Sequence, residues 1–303
     1  MSKPKVISIV GPTASGKTAL SIALAQQFAG EVISADSRQV YRGMDLGTGK
    51  VTATEMAGIP HHLLDIADPA TDTYTGTDFV RDASTAISDI TNRGHLPIIA
   101  GGTFFYLDLL RGLRSSAPVP PNEPLRTELE TKTTEELSTL LTAKDPRRAK
   151  TIDHENRRRL IRALEVVNAI GHVPATAVTD CPYNMLVLGI DVLVDILNER
   201  IHRRIVDRID QGMIEEIETL HKSGVSYERM ASFGLEYRSV ASFLQGHITK
   251  DVMVEELAAK TRQFAKRQRL WLKNDPTIIW LPFPADTGKA QQLVTKFLAE
   301  KTL

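Results

Sequence analysis

The chain has 303 residues, 42% of them hydrophobic, with 37 basic and 37 acidic side chains. That length and apolar content support a sizeable core and exclude a disordered chain, while the zero formal charge means that any nucleic-acid role must come from local basic clusters. A single cysteine, Cys181, excludes an internal disulfide framework and a multi-cysteine metal site.

The apolar run Val6 to Val10 reads as a first strand, and a helical pattern with Leu20, Ile22, Ala23 and Leu24 begins at Ala19. Between them stands GPTASGKT: Gly11, Pro12, Thr13, Ala14, Ser15, Gly16, Lys17 and Thr18. Strand, glycine loop and helix in this order are the context of a P-loop, whose inward N–H groups and helix N-terminus cradle a polyphosphate. In that reading Lys17 reaches the terminal phosphates and the Thr18 hydroxyl can ligate Mg²⁺. Met1 to Lys5 lead straight into the strand, and no apolar run is long enough to span a bilayer. The expectation is a soluble protein of the cytoplasm with no membrane partner.

Glu31 to Ala35 reads as a second strand, which places Asp36 at its carboxyl end, where an open parallel sheet binds its ligands. Val40 to Pro60 lacks a strong period and reads as loop with at most short helices. His61 to Pro69 suggests a third strand closing on a turn, with its two histidines packing there rather than ligating a metal. Tyr74 to Asn92 has helical spacing, with Phe79, Ala83, Ala86, Ile87 and Ile90 on the buried stripe. His95 to Ala100 is a fourth strand, broken at Gly101-Gly102-Thr103 before a helical run from Phe104 to Leu113.

The proline-rich Ser115 to Pro124 reads as an extended linker, followed to about Asp180 by helical, charge-rich sequence. Arg147, Arg148, Lys150, Arg157, Arg158, Arg159 and Arg162 are dense there, while Ile161, Ala163, Leu164, Val166, Val167 and Ile170 supply a buried stripe. The arginines form either a solvated face or a surface for an anionic partner. Met185 to Ile190 returns to a core strand, and the next helix repeats arginine at 200, 204 and 208, where phosphate binding competes with pairing to Asp207 and Glu216. A long helix over Val252 to Leu272 ends in basic sequence, followed by a last strand, Thr277 to Leu281, and a closing helix, Ala290 to Leu298. The fold expected is α/β, a P-loop NTPase-like parallel-sheet core (1–114 and 184–303) with a helical insertion domain (115–183). On spacing alone a small-molecule kinase is equally served, with Asp36 orienting a hydroxyl acceptor and the insertion acting as a lid.

Several blocks together resemble the bacterial tRNA dimethylallyltransferases: GPTASGKTALSIALA, DSRQVYRGMDLGTGK, HHLLDIADP, PIIAGGTFFYLDLLRGL, RRLIRALEV and QFAKRQRLWL, in the order of that family. The resemblance implies transfer of a dimethylallyl group from its diphosphate to N6 of the adenine 3′ of the anticodon, with the P-loop holding diphosphate rather than ATP. It implies Asp36 as general base, Thr103 beside the reacting centre, and Lys17, Thr18 with Mg²⁺ and Arg204 neutralising the diphosphate. It also implies that Ser37, Arg38 and Gln39 meet the target base and its neighbours. Arg126, the segment Arg158, Arg159, Leu160, Ile161 and Arg162, and Lys266-Arg267 would face tRNA. The partners implied are the tRNA anticodon stem-loop and dimethylallyl diphosphate, bound by a monomer. Two departures stand out: Val51 after GTGK, and Phe233 to Arg238 where the family carries GYR or GYK, which bears on tRNA contacts near Tyr237.

Overall fold

A computed structural model describes residues 3–300. The chain divides into two compact units, one made of residues up to 111 together with those from 180 onward, the other of 112–179. Gly112 to Arg114 therefore belong to the second unit and Asp180 to Tyr183 to the first, where Tyr183 donates to the Ser84 hydroxyl.

The first unit is built on six parallel strands: β1 (Lys5–Val10), β2 (Gly30–Ser34), β3 (His61–His62), β4 (Leu96–Ala100), β5 (Asn184–Asp191) and β6 (Ile278–Pro282). Their spatial order is β3-β2-β4-β1-β5-β6. β1 is central, and Ile7 and Ile9 are fully buried, as near-continuous apolar runs require in a sheet covered on both faces. The third strand is shorter than its sequence suggests: only His61 and His62 pair with β2, and Leu63 and Asp65 take positive φ values that break the ladder.

The helices alternating with these strands are α1 (Lys17–Gln27), α2 (Ala53–Met56), α3 (Gly76–Asn92) and α4 (Phe104–Leu110). Helix α3 buries the five stripe residues expected of it and starts at a capping box, Thr75 with Asp78. The second unit holds α5 (Glu123–Glu130), α6 (Thr134–Lys144), α7 (Pro146–Ala149) and α8 (Arg157–Ile170). Helix α8 stops at Gly171, whose φ of 82° suits a left-handed C-cap, so helical structure ends ten residues before the expected limit near 180. Ile170, placed on the stripe by spacing, is exposed at the last position of the helix. The chain then adds α9 (Val194–Asp210), α10 (Met213–Lys222), α11 (Tyr227–Phe233), α12 (Leu235–Leu244), α13 (Lys250–Lys273) and α14 (Thr287–Ala299) to the first unit.

One buried carboxylate breaks the apolar rule. Glu31 on β2 is 3% exposed and is clasped by Arg93, His62 and His95. Burial works to raise its pKa, but the hydrogen bonds from those three side chains outweigh it and hold the carboxyl at about 2. The histidines at 62 and 95 are thereby committed to structure, and no group of three His, Cys, Asp or Glu able to hold a metal exists among the described residues.

Candidate active site

In a parallel sheet the crevice opens where neighbouring strands connect in different directions. Here that place is the carboxyl end of β1 beside β4, and a cavity of about 540 Å³ occupies it within the first unit.

The loop after β1 forms its floor. A Cβ at Gly11 would meet Ser15 Oγ at 2.6 Å, so any larger residue would displace that side chain. Ala14 and Gly16 both take positive φ, and Ser15 N–H donates to the Pro12 carbonyl at 3.2 Å, which curls the loop ahead of α1. Lys17 opens α1, so the unpaired N–H groups of the first turn and the helix dipole point at the cavity. Lys17 Nζ donates to the Pro12 carbonyl at 2.8 Å. Burial, then the Arg204 charge, lower its pKa to about 8 against the opposing pull of Asp36. Thr18 is exposed on the cavity wall. The loop is held from outside by Arg200, whose Nε donates to the Ala14 carbonyl at 2.8 Å while the guanidinium lies over the Phe283 ring at 4.7 Å.

The second wall comes from β2 and β4. Asp36 turns the chain after β2: its Oδ1 accepts the N–H groups of Arg38 at 2.8 Å and Gln39 at 3.4 Å. Ser37 N–H donates to Thr103 Oγ1 at 3.0 Å, tying the end of β2 to the turn after β4. That turn needs Gly101, because a Cβ there would fall 2.1 Å from the Ala35 carbonyl oxygen.

A third wall is the loop Gly47 to Gly49. Arg204 and Arg208 of α9 lie against Gly49, and Arg204 Nη2 and Gln39 Nε2 both donate to its carbonyl, at 3.3 and 3.1 Å. Burial, foremost, lowers the pKa of both arginines, yet guanidinium groups stay charged in proteins, so Arg204 on the cavity wall and Arg208 against Gly49 are two cations with no carboxylate bonded to either among the described residues. Pairing with Glu216 does not occur: its carboxylate accepts the N–H groups of Asp45, Leu46 and Gly47 and the hydroxyl of Tyr237. Tyr237 is 1% exposed and braces this loop through Glu216 while lining the cavity.

The fourth side is α13. Sequence reasoning missed Gln268, which is 4% exposed and spends both ends of its amide. Its Oε1 accepts from Thr13 N–H at 2.8 Å and its Nε2 donates to the Gly102 carbonyl at 3.0 Å, joining the phosphate loop to the β4 turn. A polar residue on the buried stripe of α13 was the available signal. Arg267 lines the cavity mouth, and Lys266 beside it is exposed on the same helix.

Thus Thr13, Lys17, Thr18, Asp36 to Gln39, Thr103, Arg204 and Arg267 share one cavity, while Gly11, Pro12, Ala14, Ser15 and Gly16 shape its floor. The basic segment of the second unit is different. Leu160 is fully buried and Ile161 5% exposed in that unit's core, so neither side chain is available to a partner. Arg126 and Arg162 both clasp the buried Glu165, and Arg162 also donates to the Val119 carbonyl, while Arg157 holds Glu130 and neighbouring carbonyls. Between Arg157 and Arg162, Arg158 and Arg159 are exposed and make no side-chain hydrogen bond or ion pair among the described residues.

A divalent cation fits this donor set in one way. Asp36 and Glu236 are the carboxylates of the cavity, and no group of three His, Cys, Asp or Glu able to cage a metal exists among the described residues, so Thr18 would hold Mg²⁺ together with oxygens of a bound phosphate and water.

The family model described as IPP transferase matches residues 39–275. The tRNA dimethylallyltransferase 1 of Geotalea uraniireducens is 41% identical, over 97% of this chain and 98% of that protein. The tRNA dimethylallyltransferase of Halalkalibacterium halodurans is 36% identical, over 99% and 98%. Among solved structures, the full-length tRNA isopentenylpyrophosphate transferase from Bacillus halodurans superposes with a TM-score of 0.74 at 35% identity, covering 98% of this chain and 97% of that one. A eukaryotic dimethylallyltransferase caught acting on tRNA gives a TM-score of 0.78 at 28% identity, covering 97% of this chain and 79% of that one.

Proposed function

The chain belongs to the IPP transferase family, and from that premise we propose that it transfers a dimethylallyl group from dimethylallyl diphosphate to N6 of the adenine 3′-adjacent to the anticodon of tRNA. The observation that carries this reading is the single cavity in which an anion-holding loop, a carboxylate and a basic helix converge.

The reaction forms a bond from the adenine N6 to the allylic carbon and breaks the bond from that carbon to the diphosphate oxygen. Asp36 accepts the N6 proton, since its Oδ1 is fixed by the Arg38 and Gln39 N–H groups and its carboxylate faces the cavity. Thr103, held by Ser37 N–H, orients the amino group beside it. Negative charge grows on the departing diphosphate, and Lys17, Arg204 and the first turn of α1 lie where they offset it. Mg²⁺, held by Thr18 and diphosphate oxygens, supplies further charge neutralisation when bound. The base leaves its stack to reach Asp36, guided by Ser37, Arg38 and Gln39, while Arg158, Arg159, Lys266 and Arg267 meet tRNA phosphates. The enzyme works as a monomer in the cytoplasm; no helix among the described residues is long and apolar enough to cross a membrane.

Incubation with dimethylallyl diphosphate and tRNA, followed by nuclease digestion and mass spectrometry, should show one five-carbon unit added at the expected adenine. Unmodified tRNA, together with thermal stabilisation by ATP but not by the allylic diphosphate, would overturn the reading in favour of a kinase.

A further inference from the structure

Thr261 stands on α13 among residues that are otherwise apolar. The buried stripe of that helix is Met253, Leu257, Ala258, Thr261, Ala265, Gln268 and Leu272, so only two polar side chains are placed on it. Gln268 is fully employed, as described. Thr261 is not: it is 7% exposed, lines the cavity, and its Oγ1 has no hydrogen-bond partner among the described residues. A helical threonine can satisfy its hydroxyl on the carbonyl one turn back. Here it does not, and a buried hydroxyl left unpaired is costly enough to call for a reason.

Position supplies one. Gln268 fixes its turn of α13 to the phosphate loop, through Thr13, and to the β4 turn, through Gly102. Thr261 lies seven residues earlier, about 10 Å along the axis at ~1.5 Å per residue, on the same face. It is therefore two turns from the place that holds phosphates. Between the phosphates and the acceptor lies the allylic chain, which offers a hydroxyl nothing to bond. A nucleobase edge offers both donors and acceptors, and a threonine hydroxyl can serve either.

We propose that Thr261 is a specificity-determining residue whose hydroxyl bonds the polar edge of the acceptor base in the cavity. The inference rests on the prenyl-transfer reading above. A site that dedicates a buried hydroxyl to one polar edge rejects bases that lack the matching group, because the hydroxyl is then left unpaired.

The test uses the full chain with Thr261→Val and Thr261→Ser, an anticodon stem-loop RNA and dimethylallyl diphosphate. Wild-type transfer to the RNA is the control, and its absence would overturn both the prenyl-transfer reading and this inference. With wild type active, Thr261→Val should lower kcat/KM for the RNA roughly 5- to 30-fold. The KM for the allylic diphosphate and the affinity for inorganic diphosphate should not move. The melting temperature should stay level or rise, since valine removes an unpaired hydroxyl at equal volume. Thr261→Ser should restore the RNA kinetics. Wild-type kinetics in Thr261→Val would overturn the inference alone, as would a serine variant as impaired as the valine. A loss fully accounted for by a smaller folded fraction, with a lowered melting temperature, would make the residue structural and also overturn it.

Discussion

Lys17→Met should stabilise the protein while removing its hold on diphosphate. The ammonium is held in a site that lowers its pKa from 10.5 to about 8, by burial and then by Arg204, which is worth about 3 kcal/mol against the charged form. Partial solvent access reduces that figure to about 2, and the lost bond to the Pro12 carbonyl returns about 1 kcal/mol to the wild type, for a net gain of ~1 kcal/mol. For a chain of this size that is a rise in melting temperature of a few degrees. The sign depends on pH. Below pH 8 the lysine is protonated in both folded and unfolded chains and the wild type bears the whole penalty. From about pH 8 to 10.5 the folded chain sheds the proton while the unfolded chain keeps it, so wild-type stability gains on the variant, and above that range the electrostatic gap is closed. Diphosphate binding should fall by about 10- to 100-fold in the variant, the usual cost of a lost charge-assisted contact. Differential scanning fluorimetry from pH 7 to 10.5 and titration with inorganic diphosphate read both effects. A variant that melts lower than wild type at pH 7, or binds diphosphate as tightly, would refute the argument.

Asp36→Asn should keep affinity for both substrates and lose about 10²- to 10⁴-fold in single-turnover rate; an unchanged rate removes the residue as base, and loss of Mg²⁺ dependence instead moves it to the metal. Arg158→Ala with Arg159→Ala should flatten the slope of log tRNA affinity against log salt by roughly 1 to 1.5, whereas Arg162→Ala, which breaks bonds to Glu165 and Val119, should chiefly lower the melting temperature. Equal salt slopes in the paired variant and wild type would rule out phosphate contacts there. Glu31→Gln should destabilise by about 2 kcal/mol at pH 7, because the Glu31 carboxyl is held at about 2. A pKa depressed on folding gives stability that is complete above about pH 4.5 and lost as pH falls toward 2, so the gap between variant and wild type should shrink across that window in acid unfolding.

What was legible in the sequence follows from the range of the forces involved. The phosphate loop, the α3 stripe and the strand at β4 are set by neighbours within a few residues, and they stand where spacing places them. The short β3 was less legible, because after Leu63 and Asp65 turn to positive φ the chain bonds from Asp65 to Ala67 back to Gln39 and Val40, a contact far along the chain. The same limit explains the arginines of α8. Helical spacing reports which face a residue occupies, but Glu165 is itself 1% exposed on that helix and draws Arg126 and Arg162 inward, so a charged residue on a buried position decided which cations remained free. Glu216 acts alike: nothing in its surroundings in sequence says that it will bind three N–H groups of the Asp45–Gly47 loop, yet that anchor is what sets Gly49 against Arg204. Polar residues at helical spacing on an apolar stripe, Thr261 and Gln268 on α13 and Glu165 on α8, are therefore the positions where a local pattern points beyond itself, since each must find a distant partner or a ligand to be tolerated there.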